Sequence, residues 1–375
     1  MKYRKLGRTG LEISEIGMGL EHLLDKEESV IIETINAAVK GGVTYLDCHP
    51  GHDFQQDSVT YEGYMKLGKA LEGLRDKLCI SYIAHSVLSP EEIEPRFENY
   101  LRALKTDHTD VFIVQFCDKV KDYEWVTGNG GLLALAQKLR ADGKVRYIGI
   151  STHSSDIACR AIDSGAFDVL MYPVNPAFDV LVDEEKYISD DLGKLWDAAY
   201  DYMADNAKDV RLIRKNVYTE CVKNNIGLVA MKPFGGGFIF GVEKDAGFTP
   251  LNLVSYVLAQ NGVSTVVPGC TNPQEIKEIL TYYTCTDDAL DFSKAVLNSR
   301  WKIKGNCQYC NHCLPCTAGI NIAEVNRAID NKTASTYNSV KIKASSCVKC
   351  GECEKKCPFE VKVIEKMESA VKLFE

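Results

Sequence analysis

Eight short apolar segments recur along the first 290 residues, each followed by an amphipathic stretch, and this alternation restricts the fold more than any other feature of the chain. The apolar segments fall at 16–20, 43–48, 78–85, 111–116, 145–152, 169–175, 226–233 and 265–270. The amphipathic stretches run over 27–40, 61–74, 90–104, 131–140, 155–164, 212–224, 250–260 and 273–281. In the first of these, Val30, Ile31, Ile35, Ala38 and Val39 share one helical face, and Gly41-Gly42 stops the helix. Eight consecutive βα units of this size predict an α/β fold, a closed (β/α)₈ TIM barrel in preference to an open doubly wound sheet. Residues 2–14, with Gly7, Thr9 and Gly10 as turn residues, are expected to form a hairpin that plugs the bottom of the barrel. Residues 179–210 are an acidic insertion with ten Asp and Glu against three Lys, expected as a solvated helix or as a cover over the active-site end.

The last 75 residues have a different composition. Of 375 residues, fifteen are cysteine, and eight of those lie between Cys307 and Cys357. The other seven are spread over the first 300 residues and read as small buried hydrophobes, with Cys48, Cys117 and Cys270 expected at the barrel mouth from their strand positions. The chain has no apolar run long enough to span a bilayer, and its start lacks the apolar stretch of a signal peptide, so a cytoplasmic protein with no membrane partner is expected. A disulfide framework does not suit a reducing compartment, which leaves metal or cluster binding for the dense set. Cys307, Cys310, Cys313 and Cys316 are followed by Cys347, Cys350, Cys353 and Cys357-Pro358, the second run having the spacing of bacterial two-cluster ferredoxins. There three closely spaced thiolates hold one cubane and the fourth cysteine serves the other. The expected sets are therefore Cys307, Cys310, Cys313 and Cys357 for one [4Fe-4S] cluster, and Cys347, Cys350, Cys353 and Cys316 for a second. Paired zinc sites are the alternative, but three equally spaced cysteines in a row, twice, do not suit them. Residues 1–300 hold 32 Lys and Arg against 44 Asp and Glu, and residues 301–375 hold 12 against 8, which suits a basic tail around anionic clusters and gives no sign of nucleic-acid binding. The division expected is a barrel over 1–290 and an α-rich, ferredoxin-like two-cluster domain over 291–375.

Several stretches of the barrel resemble the aldo-keto reductase family, and the cysteine tail makes the chain similar to the iron-sulfur branch of that family. They are Lys5-Leu6-Gly7-Arg8-Thr9-Gly10-Leu11, Gly42-Val43-Thr44-Tyr45-Leu46-Asp47, Leu67-Gly68-Lys69-Ala70-Leu71, Gly143 to Ser151, and Met231-Lys232-Pro233-Phe234-Gly235-Gly236-Gly237. The resemblance implies a nicotinamide dinucleotide, NAD(P)H, bound across the carboxyl end of the barrel, with Ser151 and Asn175 near the nicotinamide. Two turns suit its phosphates on physical grounds: the glycine-rich turn with Lys232, Pro233, Gly235 and Gly236, and the helix start after strand eight with Gly269, Thr271 and Asn272. Asn272 before Pro273 reads as an N-cap that leaves backbone N–H groups for an anion.

The family's Asp, Tyr, Lys and His tetrad is retained here only as Asp47. His52 stands where Tyr is expected, Ile83 where Lys is expected and Gln115 where His is expected. Tyr61, Tyr64 and Lys66 are candidates to enter the site from elsewhere. Strand alternation places Asp47 and His49 on one face and Ile83 and His85 on one face, and five of the seven histidines fall at the catalytic end. Asp47, His49, His52, His85 and Gln115 are the candidate catalytic residues. The expected function is redox chemistry on a small carbonyl or hydroxyl substrate or on the nicotinamide, coupled to the clusters and to an electron-transfer partner protein. The alternatives are elimination, isomerisation or metal-assisted chemistry by Asp47 and the mouth histidines, and a non-catalytic electron carrier.

Overall fold

The computed structural model describes residues 1–49, 57–180 and 213–375. An antiparallel hairpin of β1 (Tyr3–Lys5) and β2 (Glu12–Ser14) precedes eight parallel strands. These are β3 (Met18–Gly19), β4 (Tyr45–Cys48), β5 (Cys79–His85), β6 (Thr109–Gln115), β7 (Val145–Ser151), β8 (Val169–Pro173), β9 (Gly227–Met231) and β10 (Val263–Val266), hydrogen-bonded in chain order. Two parallel bridges, Ile16 to Val266 and Gly19 to Gly269, join the first of the eight to the last and close the barrel. Each strand lies within one of the eight predicted segments or, for β6 and β10, begins two residues before it.

Alternation along the strands sorts side chains into two layers. Tyr45, Cys79, Ile83, Val111, Ile113, Val169, Met171, Val229 and Val267 fill the interior. Leu6 and Ile13 of the hairpin join that cluster, so the hairpin does plug the bottom. Its turn reaches that depth because Gly7 (φ +50°) lies so close to β9 that a Cβ there would stand 2.2 Å from the Gly227 nitrogen. The opposite strand faces pack against the helices, and Cys48, Cys117 and Cys270 belong to this outer layer. Expected at the mouth, all three are instead buried in this layer and none belongs to the interior cluster. The first helix, Glu28–Lys40, buries Ile31, Ile35 and Ala38. Helix Pro90–Ala103 begins with a Ser89–Glu92 capping box and Pro at its first position. Of the acidic insertion, residues 181–210 lie outside the described residues, and Asp179 before them is buried, accepting the hydroxyls of Tyr218 and Tyr256 at 2.6 Å each.

The cysteine-rich tail repeats one backbone motif. The second and fourth residues after the first cysteine are left-handed in both runs: Tyr309 (φ 55°) and Asn311 (65°), then Lys349 (55°) and Gly351 (76°). Three residues past the fourth cysteine come Gly319 (73°) and Glu360 (54°). Helices Ile322–Asn331 and Val363–Phe374 each start six residues after that cysteine. The tail is tied to the barrel by Trp301, fully buried against Phe238 and Phe248, and by Phe292 between Tyr256 and Phe359.

Candidate functional site

The carboxyl ends of β4 to β7 bring a polar group of side chains to the mouth. Asp47, 8% exposed, pairs in register with Ser81, whose hydroxyl donates to Asp47 Oδ1 at 2.8 Å. Burial pushes the Asp47 carboxyl up to about 7, Ser81 opposes this, Glu21 adds to it and Lys232 opposes it. Ile83, at the position where the resemblance implies lysine, lies in the apolar interior and supplies no counter-charge. His49 Nε2 lies 2.8 Å from Gln115 Nε2, so the Gln115 amide donates to it and the imidazole proton sits on Nδ1. His85 pairs in register with Gln115. Its Nδ1 accepts from the Val87 N–H at 3.3 Å, which leaves its proton on Nε2, and burial followed by His49 lowers its pKa to about 4.

A second histidine lies behind the first. The Phe116 ring is 4.6 Å from His85 and 6.2 Å from His153, with Phe116 held at φ 60°, a left-handed conformation unusual for a bulky residue. His153 Nδ1 faces Asp118 Oδ2 at 3.1 Å, and the same carboxylate accepts the His153 N–H and the Thr152 hydroxyl. Burial raises the Asp118 pKa, but His153 and these hydrogen bonds outweigh it and hold the carboxyl below its ordinary range. Arg214, fully buried, donates to the carbonyls of His153 and Pro173 at 2.9 and 3.1 Å. Phe116, Asp118 and Arg214 were not singled out from sequence, and Ser81 was placed only on the strand face it shares with Ile83 and His85.

Three of the side chains considered as substitutes do not reach the mouth. Tyr64 donates to the Cys48 carbonyl in the outer layer, Tyr61 packs against that layer, and Lys66 bonds the Lys26 carbonyl and Glu62. His52 lies outside the described residues.

The expected nucleotide residues ring the same end. Ser151 ends β7, and Asn175 follows β8, where its Nδ2 donates to the Lys232 carbonyl at 3.0 Å and its Oδ1 caps helix Pro176–Asp179. Lys232, Gly235, Gly236 and Gly237 all have positive φ, with Gly236 and Gly237 exposed and Pro233 buried between them and β9. Gly269 is exposed at the barrel seam. The helix start beyond it departs from expectation. Asn272 Oδ1 accepts the N–H groups of Gln274 and Glu275 at 3.0 Å each, and the Glu275 carboxylate takes the Thr271 N–H at 2.7 Å. These donors are used internally, because an asparagine N-cap and a glutamate folded back one turn later satisfy the helix end.

In the tail, Cys307, Cys310, Cys313 and Cys357 line one cavity, walled by Ile322, Phe359, Val361 and Val363. Cys316, Cys347, Cys350 and Cys353 line a second with Ile320, Val363 and Met367, and Cys313 reaches its edge. Burial raises the Cys310 and Cys313 thiols to about 12, with Cys307 and Cys357 close enough to add to the effect. The Tyr309 N–H points at Cys307 Sγ at 3.4 Å. Among the described residues no three His, Cys, Asp or Glu side chains gather around a point that a single metal ion would occupy, in the tail or at the mouth.

A closed (β/α)₈ barrel with its polar cluster at the carboxyl ends of the strands is the architecture of a large class of barrel proteins. Within that class, residues 15–188 match the model of the aldo/keto reductase family. It is 28% identical over 172 residues to aldo-keto reductase YhdN of Bacillus subtilis (strain 168), covering 41% of this chain and 48% of that one. It is 25% identical over 253 residues to "Probable aldo-keto reductase 1" of Glycine max, covering 63% and 60%. The matches thus span about half to three-fifths of these curated relatives. Among solved structures, aldo-keto reductase AKR11C1 from Bacillus halodurans (holo form) superposes with a TM-score of 0.58 at 16% identity, over 80% of this chain and 96% of that one. An aldo-keto reductase from Klebsiella pneumoniae in complex with NADPH does so at 0.52 and 15%, over 76% and 91%. At such identities the likeness speaks for the fold. Among the described residues no helix is long and apolar enough to cross a membrane.

Proposed function

We propose that the chain is an iron-sulfur oxidoreductase of the aldo-keto reductase superfamily, acting on a small carbonyl or hydroxyl substrate or on a bound nicotinamide. The observation that carries this is the joining of a barrel that matches the aldo/keto reductase family over residues 15–188 to two cysteine-lined cavities, one with Cys307, Cys310, Cys313 and Cys357 and one with Cys316, Cys347, Cys350 and Cys353, Cys313 lining both. The donor set fits two [4Fe-4S] clusters better than zinc. A zinc ion draws four sulfurs to about 2.3 Å from one centre, whereas a cubane takes one thiolate at each iron around a larger body. Cysteines ranged around a cavity, with no three side chains converging on one point, suit the cubane. Cys307, Cys310, Cys313 and Cys357 would hold one cluster, and Cys316, Cys347, Cys350 and Cys353 the other. When bound, the clusters supply single electrons and the nicotinamide supplies hydride.

The protein's own side chains handle the proton. Asp47 exchanges one near neutrality and is oriented by Ser81. His85 is neutral from pH 5 upward and presents Nε2–H. His49, held by Gln115, presents the opposite tautomer with its proton on Nδ1, so the two histidines place N–H donors at fixed positions and the Asp47 carboxylate is the acceptor. The pair takes over what tyrosine and lysine do where the tetrad is complete. Asn175 fixes the Lys232 turn, and Lys232 with the exposed Gly236 and Gly237 offers the anion contact that the capped helix after β10 does not. We place the protein in the cytoplasm with an electron-carrier protein as partner.

The test is an anaerobic titration of reconstituted protein with NADH and NADPH, following cluster absorbance and EPR. Reduction of the clusters by one of them is expected. Failure of both to bind or to reduce the clusters removes the oxidoreductase reading.

A further inference from the structure

The two cysteine loops are near copies in backbone, yet their surroundings are electrostatically unequal. Lys215, on the barrel helix Ile213–Lys223, reaches the first loop, its Nζ donating to Gln308 Oε1 at 2.7 Å and lying 5.6 Å from the centre of the Tyr309 ring. Gln308 is fully buried between Cys307 and Tyr309. Arg327 stacks over the same ring at 4.2 Å, and the Tyr309 hydroxyl donates to Asp330. Burial lowers the Lys215 pKa below its ordinary value, while Asp179, Cys307 and Asp330 oppose this by favouring the cation and Arg327 adds to it. In the second loop the residue equivalent to Tyr309 is Lys349. It is 62% exposed and paired with the tail's own Glu368 at 2.7 Å, and Cys350 beside it is exposed.

We propose that Lys215 is a counter-charge supplied by the barrel to the cluster of Cys307, Cys310, Cys313 and Cys357, a positioning residue that raises the reduction potential of that cluster alone. The proposal rests on the iron-sulfur reading above. Reducing a thiolate-bound cluster adds one negative charge to an already anionic body. A cation in low-dielectric surroundings favours the reduced form over the oxidised one, so its potential rises. Around the other cluster, the charge of Lys349 is offset by Glu368 and screened by water. The same helix carries Arg214, which holds the His153 carbonyl, so one element links the inner cysteine loop to the barrel mouth.

The test is a dithionite potentiometric titration of the reconstituted full-length protein, read by EPR. In Lys215→Met, one of the two reduction waves moves to more negative potential and the other stays. Lys215→Arg restores the wild-type position, and Lys349→Met leaves the first wave where it was. Gln308→Leu keeps the charge but releases the ammonium, so it shifts the same wave in the same direction by less. Should Lys215→Met fail to load its clusters, Gln308→Leu decides by the same readout. Waves that stay in place in both variants, or that both move equally, overturn the proposal. Wild-type protein that takes up no iron and sulfide removes instead the reading on which it rests.

Discussion

The Asp47 carboxyl makes a prediction that needs no substrate. In the unfolded chain it titrates at the ordinary 3.8, and in the folded chain at about 7, chiefly because it is buried. Between these values the folded chain holds a proton that the unfolded chain has released, so stability falls as pH rises from 4 to 7. At about 1.4 kcal/mol per pH unit, the loss reaches roughly 4 kcal/mol and persists above pH 7. Asp47→Asn keeps an oxygen for the Ser81 hydroxyl and carries no charge at any pH. The variant should match the wild type near pH 4.5 and exceed it by about 2 to 4 kcal/mol at pH 8. Urea unfolding of both proteins in matched buffers from pH 4.5 to 8, read by tryptophan fluorescence, measures the gap. A gap that does not change with pH, or that is largest in acid, refutes the reasoning and places Asp47 in a wet or ion-paired environment.

Four further outcomes follow from named contacts. Ile83→Lys puts a cation on the face of Asp47 and should bring the carboxyl back towards its ordinary range, seen as loss of the titration near 7 in carboxyl ¹³C spectra. His85, with its pKa lowered to about 4, should show a neutral ¹⁵N pattern down to pH 5, and its contribution to stability should fade as pH drops from 6.5 towards 4. Leu6→Ala empties the bottom of the barrel and should cost about 2 to 5 kcal/mol in denaturant unfolding. Cys357→Ala should abolish the same EPR signal as Cys307→Ala and halve the iron, although Cys357 belongs to the second run. Grouping instead with Cys347→Ala would break the crossed assignment.

What could be read from the sequence divides along the range of the forces involved. The strands were legible because burial on both faces leaves continuous apolar runs, and the hairpin plug because Gly7 and Gly10 mark its turn. The two cysteine loops were legible because their spacing is a local property of the chain. The two layers around each strand were less so: Cys48 and Cys270 lie one residue out of phase with the mouth-facing set, and Cys117 lies past the left-handed Phe116, where strand alternation has ended. The partners of the catalytic candidates were hidden almost entirely. Asp47 meets Ser81 across 34 residues, His49 meets Gln115 across 66, and His153 takes its orientation from Asp118 and Arg214, 35 residues before it and 61 after. At the helix after β10 the N-cap was visible in Asn272-Pro273, but the return of Glu275 to Thr271 depends on a rotamer that sequence does not specify.

Ile83, at the position where the resemblance implies lysine, sets the chemistry of Asp47. A buried aspartate beside a lysine stays ionised and serves as a fixed charge. With Ile83 in that place, the strongest stabiliser of its charge is a neutral hydroxyl, and the carboxyl moves into the range where it exchanges protons. The residues at positions 83 and 115 therefore act together. Ile83 leaves Asp47 without a cation beside it, and Gln115 orients His49 from the end of β6. Under the proposed function such a mouth delivers protons without a tyrosine, and its pH dependence should follow Asp47 near 7.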